Sequence, residues 1–554
     1  MMKQRMIMVL SLALCLGGLG LVRTGQVLAA RQKAVKTHKV PATRDKYLNT
    51  QYKKQNRDQI TRIASGHAAQ AAAYYEAYLK QIPDDLESMF GMAAACAQTN
   101  GLDKAMLWMK RSVEGGLPFE RYLAGPRDLF EPLYRQAAFR QYARSQNVQL
   151  LHGPVLGSVT DSRARFWVRT ADEIPVIVRV SESADRKGHT VSASARTKKA
   201  DDYTAVVEVK GLKANTQYVY DVLLNGEPAV LPKTAGFRTF PRAGSAAQFS
   251  LVFGGGAGYT PWFERMWTTI AETRPLAMIA LGDNVYIDTP DVHQTQRYCY
   301  YRRQSRPEYR AFAAATPVFA VWDDHDFAGN DCCNGPAFHD PPWKKDVLKV
   351  FTENFVNPYY GGGDKTPGIW FDFKIGDVDF FLPDTRMYRD FRDTKPRSML
   401  GPVQKQWLKD RLKNSRATFK VIASSLPWAM GAKSGSKDPW SGFPDEREEL
   451  FAFIEQNRIN GVVLISADRH RSDAWKIARP AGYDLYEFMS SKMTNVVKHG
   501  LMKGALFGYN EKCSYGRLTF DTKAPDPTVT YTIVNIDGED IHSLTVKKSQ
   551  LMSP

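Results

Sequence analysis

Three short acidic runs, each placed directly after an apolar run, constrain what this chain can fold into more than any other feature. LGDNVY (281–286) follows PLAMIA, WDDHD (322–326) follows TPVFAV, and SADRH (466–470) follows GVVLI. Short apolar runs rich in β-branched residues read as buried strands. Strands buried on both faces belong to α/β sheets, where ligands bind beyond the carboxyl ends of the strands. Asp and His gathered at that edge point to a metal site with oxygen and imidazole ligands.

A length of 554 residues suggests three or four domains, at roughly 150 residues each. Residues 1–29 read as a secretory signal peptide: Lys3 and Arg5 precede an apolar stretch from Met6 to Val22, and VLAA ends in small residues, with Ala29 the last one removed. An uncleaved membrane anchor is the alternative. Leu14-Cys15 lacks the small residue that precedes a lipidated Cys, and no later stretch is apolar enough to span a bilayer. The expected location is the periplasm or outside the cell. The formal charge of +17 falls to +14 without Lys3, Arg5 and Arg23. It is spread along the chain, so it predicts no specific nucleic-acid binding; it suits an anionic substrate or a solubilising surface equally. Five cysteines follow the leader: Cys96, Cys299, Cys332, Cys333 and Cys513. They are too few for a disulfide scaffold, and the odd number leaves at least one thiol over.

Residues 30–60 are polar and basic and read as a linker. From 61 to 147 the pattern is helical. Ala71 and Ala105, Tyr74 and Trp108, and Leu79 and Val113 each lie 34 residues apart, a period that resembles tetratricopeptide repeats. Such repeats recruit a protein partner or pack onto a neighbouring domain; with about two units, packing is the expected role. From 148 to 241 FWVRT, VIVRVS, TAVVEV and TQYVYDVLL read as strands of a small β-sandwich that looks like a fibronectin-type domain. From 248 to 547 strands alternate with helices, among them one expected over 259–275 and others at PVQKQWLKDRLKNS and DEREELFAFIEQN.

A metal-dependent hydrolase needs carboxylates to hold cations and donors over the oxygens of its substrate. Asp283 ends a strand and suits a bridging position. Tyr286 is either a phenolate ligand, which needs a strongly charged cation because its free pKa is about 10, or a packed aromatic. In WDDHD, Asp324 suits a metal, and His325 protonates a leaving oxygen or orients a phosphoryl group; Asp323, Asp326 and Asp331 suit turn-capping positions instead. Asp468 and His470 are separated by one residue and face one site from a loop. Arg386 in LPDTRMYRD clamps a phosphate or pairs with Asp384 or Asp390.

From His152 to Val546 these residues resemble, in order, the PhoD-like alkaline phosphatases of the calcineurin-like metallophosphoesterase superfamily. HGPVLGSVTDSRARFWVR is similar to the family's N-terminal β segment, LGDNVY to its GD-x-x-Y, VWDDHD to its WDDH, DTRMYR to its DxRxYR, LGPVQKQWLKDRLKNSRATFKVI to its LG-x-x-Q-x-x-WL helix, and SADRH to its GD-x-H. The resemblance implies an α/β metallophosphoesterase sandwich over 248–547. It implies metal ligands at Asp283, Tyr286, Asp324, Asp468 and His470, with His325 and Arg386 at the phosphate. It also implies hydrolysis of phosphate monoesters or diesters by metal-activated water, with iron and calcium. One departure stands out. The family's first strand ends in Ser-Cys, the Cys binding iron, whereas this one ends FGGGAGY with Gly255 or Gly256 in that place. A divalent metal, calcium first, is then expected in place of iron. Alternatively, Cys332 or Cys333 substitutes as ligand, or the first metal is lost. Those two cysteines equally suit a bridge to Cys299. The competing expectation for the whole chain is a degenerate phosphatase domain that serves as a binding platform, its helical repeats recruiting a partner.

Overall fold

A computed structural model of the protein describes residues 52–183 and 190–554. The expected signal peptide and most of the linker lie outside these residues. The linker's last residues differ from expectation: a helix already runs over Tyr52–Ala64. Its sequence is polar overall, but Tyr52, Ile60 and Ile63 are buried, and that narrow apolar stripe is masked by the charged residues between.

Helices follow at Ala68–Gln81, Leu86–Gln98 and Leu102–Glu114, each packed on its predecessor. Asp85 caps Leu86–Gln98 by accepting from the Ser88 N–H at 3.0 Å. That helix is buried on nearly every side, as its alanine-rich sequence allows, its one charged residue, Glu87, being paired with Arg121. A Cβ on Gly91 would stand 2.1 Å from the Tyr75 ring, so glycine lets the two helices close. Three shorter helices, Glu120–Ala124, Arg127–Tyr134 and Ala137–Gln146, complete the region.

Two antiparallel sheets come next. One orders Leu150–Gly157, Arg163–Thr170 and Thr204–Lys210; the other is built on Thr190–Arg196, Pro175–Ser181 and Gln217–Leu224. Phe166 meets Tyr220 across them at 4.7 Å between ring centres.

Two larger sheets form the remainder. The first orders Val318–Val321, Met278–Leu281, Gln248–Gly254, Ser514–Asp521, Thr528–Asn535 and Asp540–Lys547, parallel over its first three strands. The second has a parallel centre of Val378–Leu382, Phe419–Ala423, Val462–Ser466 and Leu485–Ser490. The sheets pack face to face: Phe520 lies 6.0 Å from Phe380 and 5.8 Å from Phe419, and Tyr531 lies 4.8 Å from Phe488. The three acidic runs therefore leave the carboxyl ends of parallel strands in both sheets and meet at one edge. Helices at Gly401–Asn414 and Pro444–Gln456 match expectation. The helix expected over 259–275 shrinks to Met266–Glu272 behind a short 3-10 turn at Pro261–Phe263. No described helix is long and apolar enough to cross a membrane. All five described cysteines are free, so no bridge joins Cys299 to Cys332 or Cys333; the Cys299 thiol donates to the Tyr286 carbonyl at 3.5 Å instead.

Candidate metal centre

Strand Met278–Leu281 stops because Gly282 and Asp283 take positive φ, +85° and +50°. A Cβ on Gly282 would lie 2.4 Å from the Asp323 Cβ, so glycine there lets the first two acidic runs touch. The turn aims Asp283 inward. Its Oδ2 accepts from the Tyr286 hydroxyl at 2.7 Å and lies 3.6 Å from His470 Nε2. Tyr286 Oη is also 3.1 Å from His470 Nε2 and accepts from Asn495 Nδ2 at 2.7 Å. Burial, and then the Asp283 charge, push the Tyr286 phenol well above its ordinary value. His470 is stacked on His499, 5.0 Å between ring centres.

The second run leaves strand Val318–Val321 and forms a one-turn helix, Asp324–Phe327. Asp323 and Asp326 cap it reciprocally, and Asp326 also accepts from the backbone N–H groups of Asn284 and Val285 at 3.2 and 3.1 Å. These two acids hold the loops together. Asp324 is left facing the site, with its oxygens accepting from the His325 and Asp331 N–H groups at 3.0 and 2.6 Å. The His325 ring lies 4.4 Å from the Tyr286 ring, and its Nδ1 is bound by Asp288. Burial works against a charged His325, but the carboxylates of Asp324, Asp283 and Asp288 outweigh it and push the ring up to about 10.

A second lobe gathers around Lys433. Its ammonium reaches Asp331 at 2.8 Å and both Asp438 and Asp468 at 3.3 Å. Arg386 is fully buried between Asp323 and Asp438, with Nε 2.7 Å from Asp323 Oδ1 and Nη1 2.7 Å from Asp438 Oδ1. Neither Asp384 nor Asp390 is its ion-pair partner. Asp384 instead accepts from the Arg386 backbone N–H at 2.9 Å and from Trp322 Nε1 at 2.7 Å. Arg386 Nη2 stands 4.0 Å from Asp324 Oδ1.

Ligand atoms of Asp283, Asp324 and His325 all lie within 4.8 Å of one another, as do those of Asp324, Asp331 and Asp438. Oδ1 of Asp283 is buried and accepts no hydrogen bond, although a buried carboxylate oxygen is stable only when paired. Burial, and beyond it the charges of Asp324, Asp283 and Asp468, push Asp323 well above the ordinary carboxylate range despite Arg386. Burial, followed by Asp438 and Asp324, lifts Asp468 to about 6 against the pull of Lys433. The edge is short of positive charge, and its donors are those of a hard or borderline divalent cation, which they fit.

Gly256 faces this edge. A Cβ there would lie 3.3 Å from His470 Cδ2 and 2.8 Å from both Lys492 N and Ser491 Oγ, and φ is +66°. Gly255 is turned away, toward Ala467 and the Leu281 and Gly282 carbonyls. Of the expected residues, Asp283, Tyr286, His470, Asp324 and His325 form one group, while Asp468 and Arg386 stand in the lobe around Lys433. Sequence inspection missed Asp438, Lys433, Asn495 and Asp288. Asp438 and Lys433 sit in a Gly/Ser-rich connection well beyond the end of strand Phe419–Ala423, whereas Asp288, two residues after Tyr286, and Asn495, shortly after strand Leu485–Ser490, stood where a site residue could have been sought.

Residues 251–539 match the PhoD-like phosphatase family, and residues 147–242 match a domain family of unknown function, DUF7800. Alkaline phosphatase D of Bacillus subtilis (strain 168) is 25% identical over 319 residues, 48% of this chain and 53% of that protein. The chain thus spans about half the length of this relative. A solved structure of PhoD aligns with a TM-score of 0.61 at 19% identity, over 72% of this chain and 90% of that one. A purple acid phosphatase from yellow lupin (Lupinus luteus) seeds aligns with a TM-score of 0.54 at 12% identity, over 72% and 75%. Both share the fold that brings two sheets to one acidic edge. With more than half of its residues in the family match, and with the acidic runs assembled at that edge, the chain belongs to the PhoD-like phosphatase family.

Proposed function

We propose that this protein is a metal-dependent phosphoesterase that acts on phosphate monoesters or diesters. The observation that carries the proposal is the group formed by Asp283, Asp324 and His325, whose ligand atoms lie within 4.8 Å of one another around a carboxylate oxygen that accepts no hydrogen bond. Asp283 and Asp324 would hold the cation, with His470 and Tyr286 beside Asp283 and Asp468 available from the lobe around Lys433. When bound, the cation supplies Lewis-acid polarisation of the phosphoryl group. His325, its Nδ1 engaged by Asp288, presents its other nitrogen to the ester and gives a proton to the leaving oxygen. Arg386 acts from behind, keeping Asp323 and Asp438 neutralised and Asp324 in place. Calcium suits the oxygen-rich donor set better than iron, because Gly256 supplies no thiolate.

The leader sequence supports export. The Tyr218 hydroxyl accepts from the Lys213 N–H at 2.8 Å, a tyrosine-corner contact that supports a fibronectin-type label for 148–241. Paired helices with a 34-residue period support the tetratricopeptide-like label for 61–147. In that region Glu87 accepts from the Tyr298 hydroxyl at 2.8 Å, so one face of the helices is packed against the phosphatase part.

The test is turnover of p-nitrophenyl phosphate and bis-p-nitrophenyl phosphate across pH, after chelation and reloading with calcium, magnesium, zinc or iron, together with metal analysis of the purified protein. The two substrates separate monoester from diester preference. Protein that binds no metal and turns over neither ester with any cation would sink the proposal.

A further inference from the structure

Helix Tyr52–Ala64 lies far from the phosphatase strands in sequence but packs on helix His293–Gln304. Thr61 and Thr295 share a hydrogen bond of 2.8 Å at that contact. One turn earlier, Arg57 points into the phosphatase part. It is buried, with 6% of its side chain exposed. Its Nη1 pairs with Asp288 Oδ2 and donates to the Tyr286 carbonyl at 3.2 Å. Its other edge is held by Asp58, at 2.9 Å from Nε and 2.8 Å from Nη2. The guanidinium is therefore fixed on both sides. The second oxygen of Asp288 meets His325 Nδ1, and the Ile287 N–H donates to the His325 carbonyl at 2.9 Å.

A carboxylate bound to one ring nitrogen sets the tautomer and the rotation of a histidine. An exposed Asp288 could rotate away; one locked by a buried guanidinium cannot. We infer that Arg57 is a positioning residue for His325, acting through Asp288, so that the helical region completes the active site instead of merely adjoining it. This rests on the phosphoesterase reading given above for its kinetic consequences, but the placement of the ring can be tested without them.

The experiment uses the full chain with Arg57→Ala, Arg57→Lys, Asp288→Asn, His325→Gln and, as a packing control, Thr61→Ala. Thermal melts show which variants are folded. On bis-p-nitrophenyl phosphate with saturating cation, Arg57→Ala is expected to lower kcat about tenfold with little change in KM, and Arg57→Lys to recover part of the loss. In the His325→Gln background, Arg57→Ala is expected to add nothing further, because the residue acts only through that ring. Thr61→Ala keeps the parent kcat. In parallel, the rate at which diethyl pyrocarbonate modifies His325, read by mass spectrometry, rises severalfold in Arg57→Ala and Asp288→Asn but not in Thr61→Ala. An active parent whose kcat survives Arg57→Ala, or in which the Arg57 and His325 losses multiply, overturns the inference and leaves the phosphoesterase reading standing. If the parent is inactive with every cation, that reading falls, and the modification rates alone decide on Arg57: unchanged rates overturn it.

Discussion

Arg386 and Asp438 form a two-point ion pair that is closed to solvent, with Nη1–Oδ1 at 2.7 Å and Nη2–Oδ2 at 3.2 Å. Asp323 takes the remaining edge of the guanidinium. One arginine thus ties a loop of the first sheet to a connection of the second, and its charge is already matched before any anion arrives.

Removing it strips the buried Asp323 of its counter-charge and leaves Asp438 to Lys433 and Arg389. Arg386→Ala is expected to cost about 3–5 kcal/mol of stability, the usual result of breaking a buried pair from one side. Arg386→Lys recovers only part, because an ammonium cannot serve both carboxylates in a planar fork. Thermal and urea melts check this. A variant that melts with the parent and loses only substrate affinity would point to a direct phosphate clamp.

Cation binding at Asp283 has a stability signature that is independent of turnover. A ligand at a hundred times its Kd stabilises the folded protein by about 2.7 kcal/mol. Calcium or another fitting divalent cation should raise the melting temperature of chelated protein, and Asp283→Asn should abolish the rise. The same substitution should lower kcat at least about 100-fold, equivalent to ~2.7 kcal/mol of transition-state stabilisation. Titration calorimetry on both proteins measures the first effect directly.

Gly256→Cys tests whether a thiolate can be returned to the first strand's end. The position has φ of +66° and no room for a Cβ beside Lys492 N and Ser491 Oγ. A side chain held in the left-handed region costs about 1–3 kcal/mol. The variant should melt below the parent and bind no additional equivalent of metal. Undiminished stability with a second bound ion would show that the backbone of residues 255–258 adjusts more readily than these contacts imply.

His152 couples the small sandwich to helix His293–Gln304 and makes that contact sensitive to acid. Its Nδ1 lies 2.8 Å from Arg169 Nη1 and its Nε2 2.9 Å from Ser305 Oγ. An arginine can only donate, so the ring is neutral, with its proton on Nε2. Burial, and then the Arg169 charge, hold its pKa well below the ordinary histidine value. The folded pKa is depressed, so below the unfolded value of about 6.5 the unfolded chain binds the extra proton. The contribution is complete above that pH and declines as the pH falls beneath it, by at most about 1.4 kcal/mol per pH unit for one proton. Melting temperatures from pH 8 to 5 should fall on the acid side, and the fall should be shallower in His152→Gln.

Local pattern made much of the site legible. Asp283, Asp324 and Asp468 each stand just beyond an apolar run, and a buried strand can end only at the edge of its sheet, so their arrival at one edge followed from the runs themselves. The capping roles open to Asp323 and Asp326 were visible in their spacing, since a residue and its third successor bracket the first turn of a helix. The helix at Tyr52–Ala64 was hidden because three apolar side chains among charged ones resemble a linker in composition. Asp438 and Lys433 were hidden for another reason: they lie far along an irregular connection after strand Phe419–Ala423, so no period places them anywhere.

The sequence by itself determined which strands carry acids and that the first strand ends in glycines, with no thiolate at 255 or 256. Pairing was decided only by the tertiary structure. Arg386 and Asp438 are 52 positions apart, and Arg57 and Asp288 are 231 apart. Contacts over such separations depend on how sheets and helices pack as bodies, which no local period encodes. That packing commits Arg386 to two carboxylates, gives Lys433 three, and brings a helix from the far end of the chain against the carboxylate that holds His325.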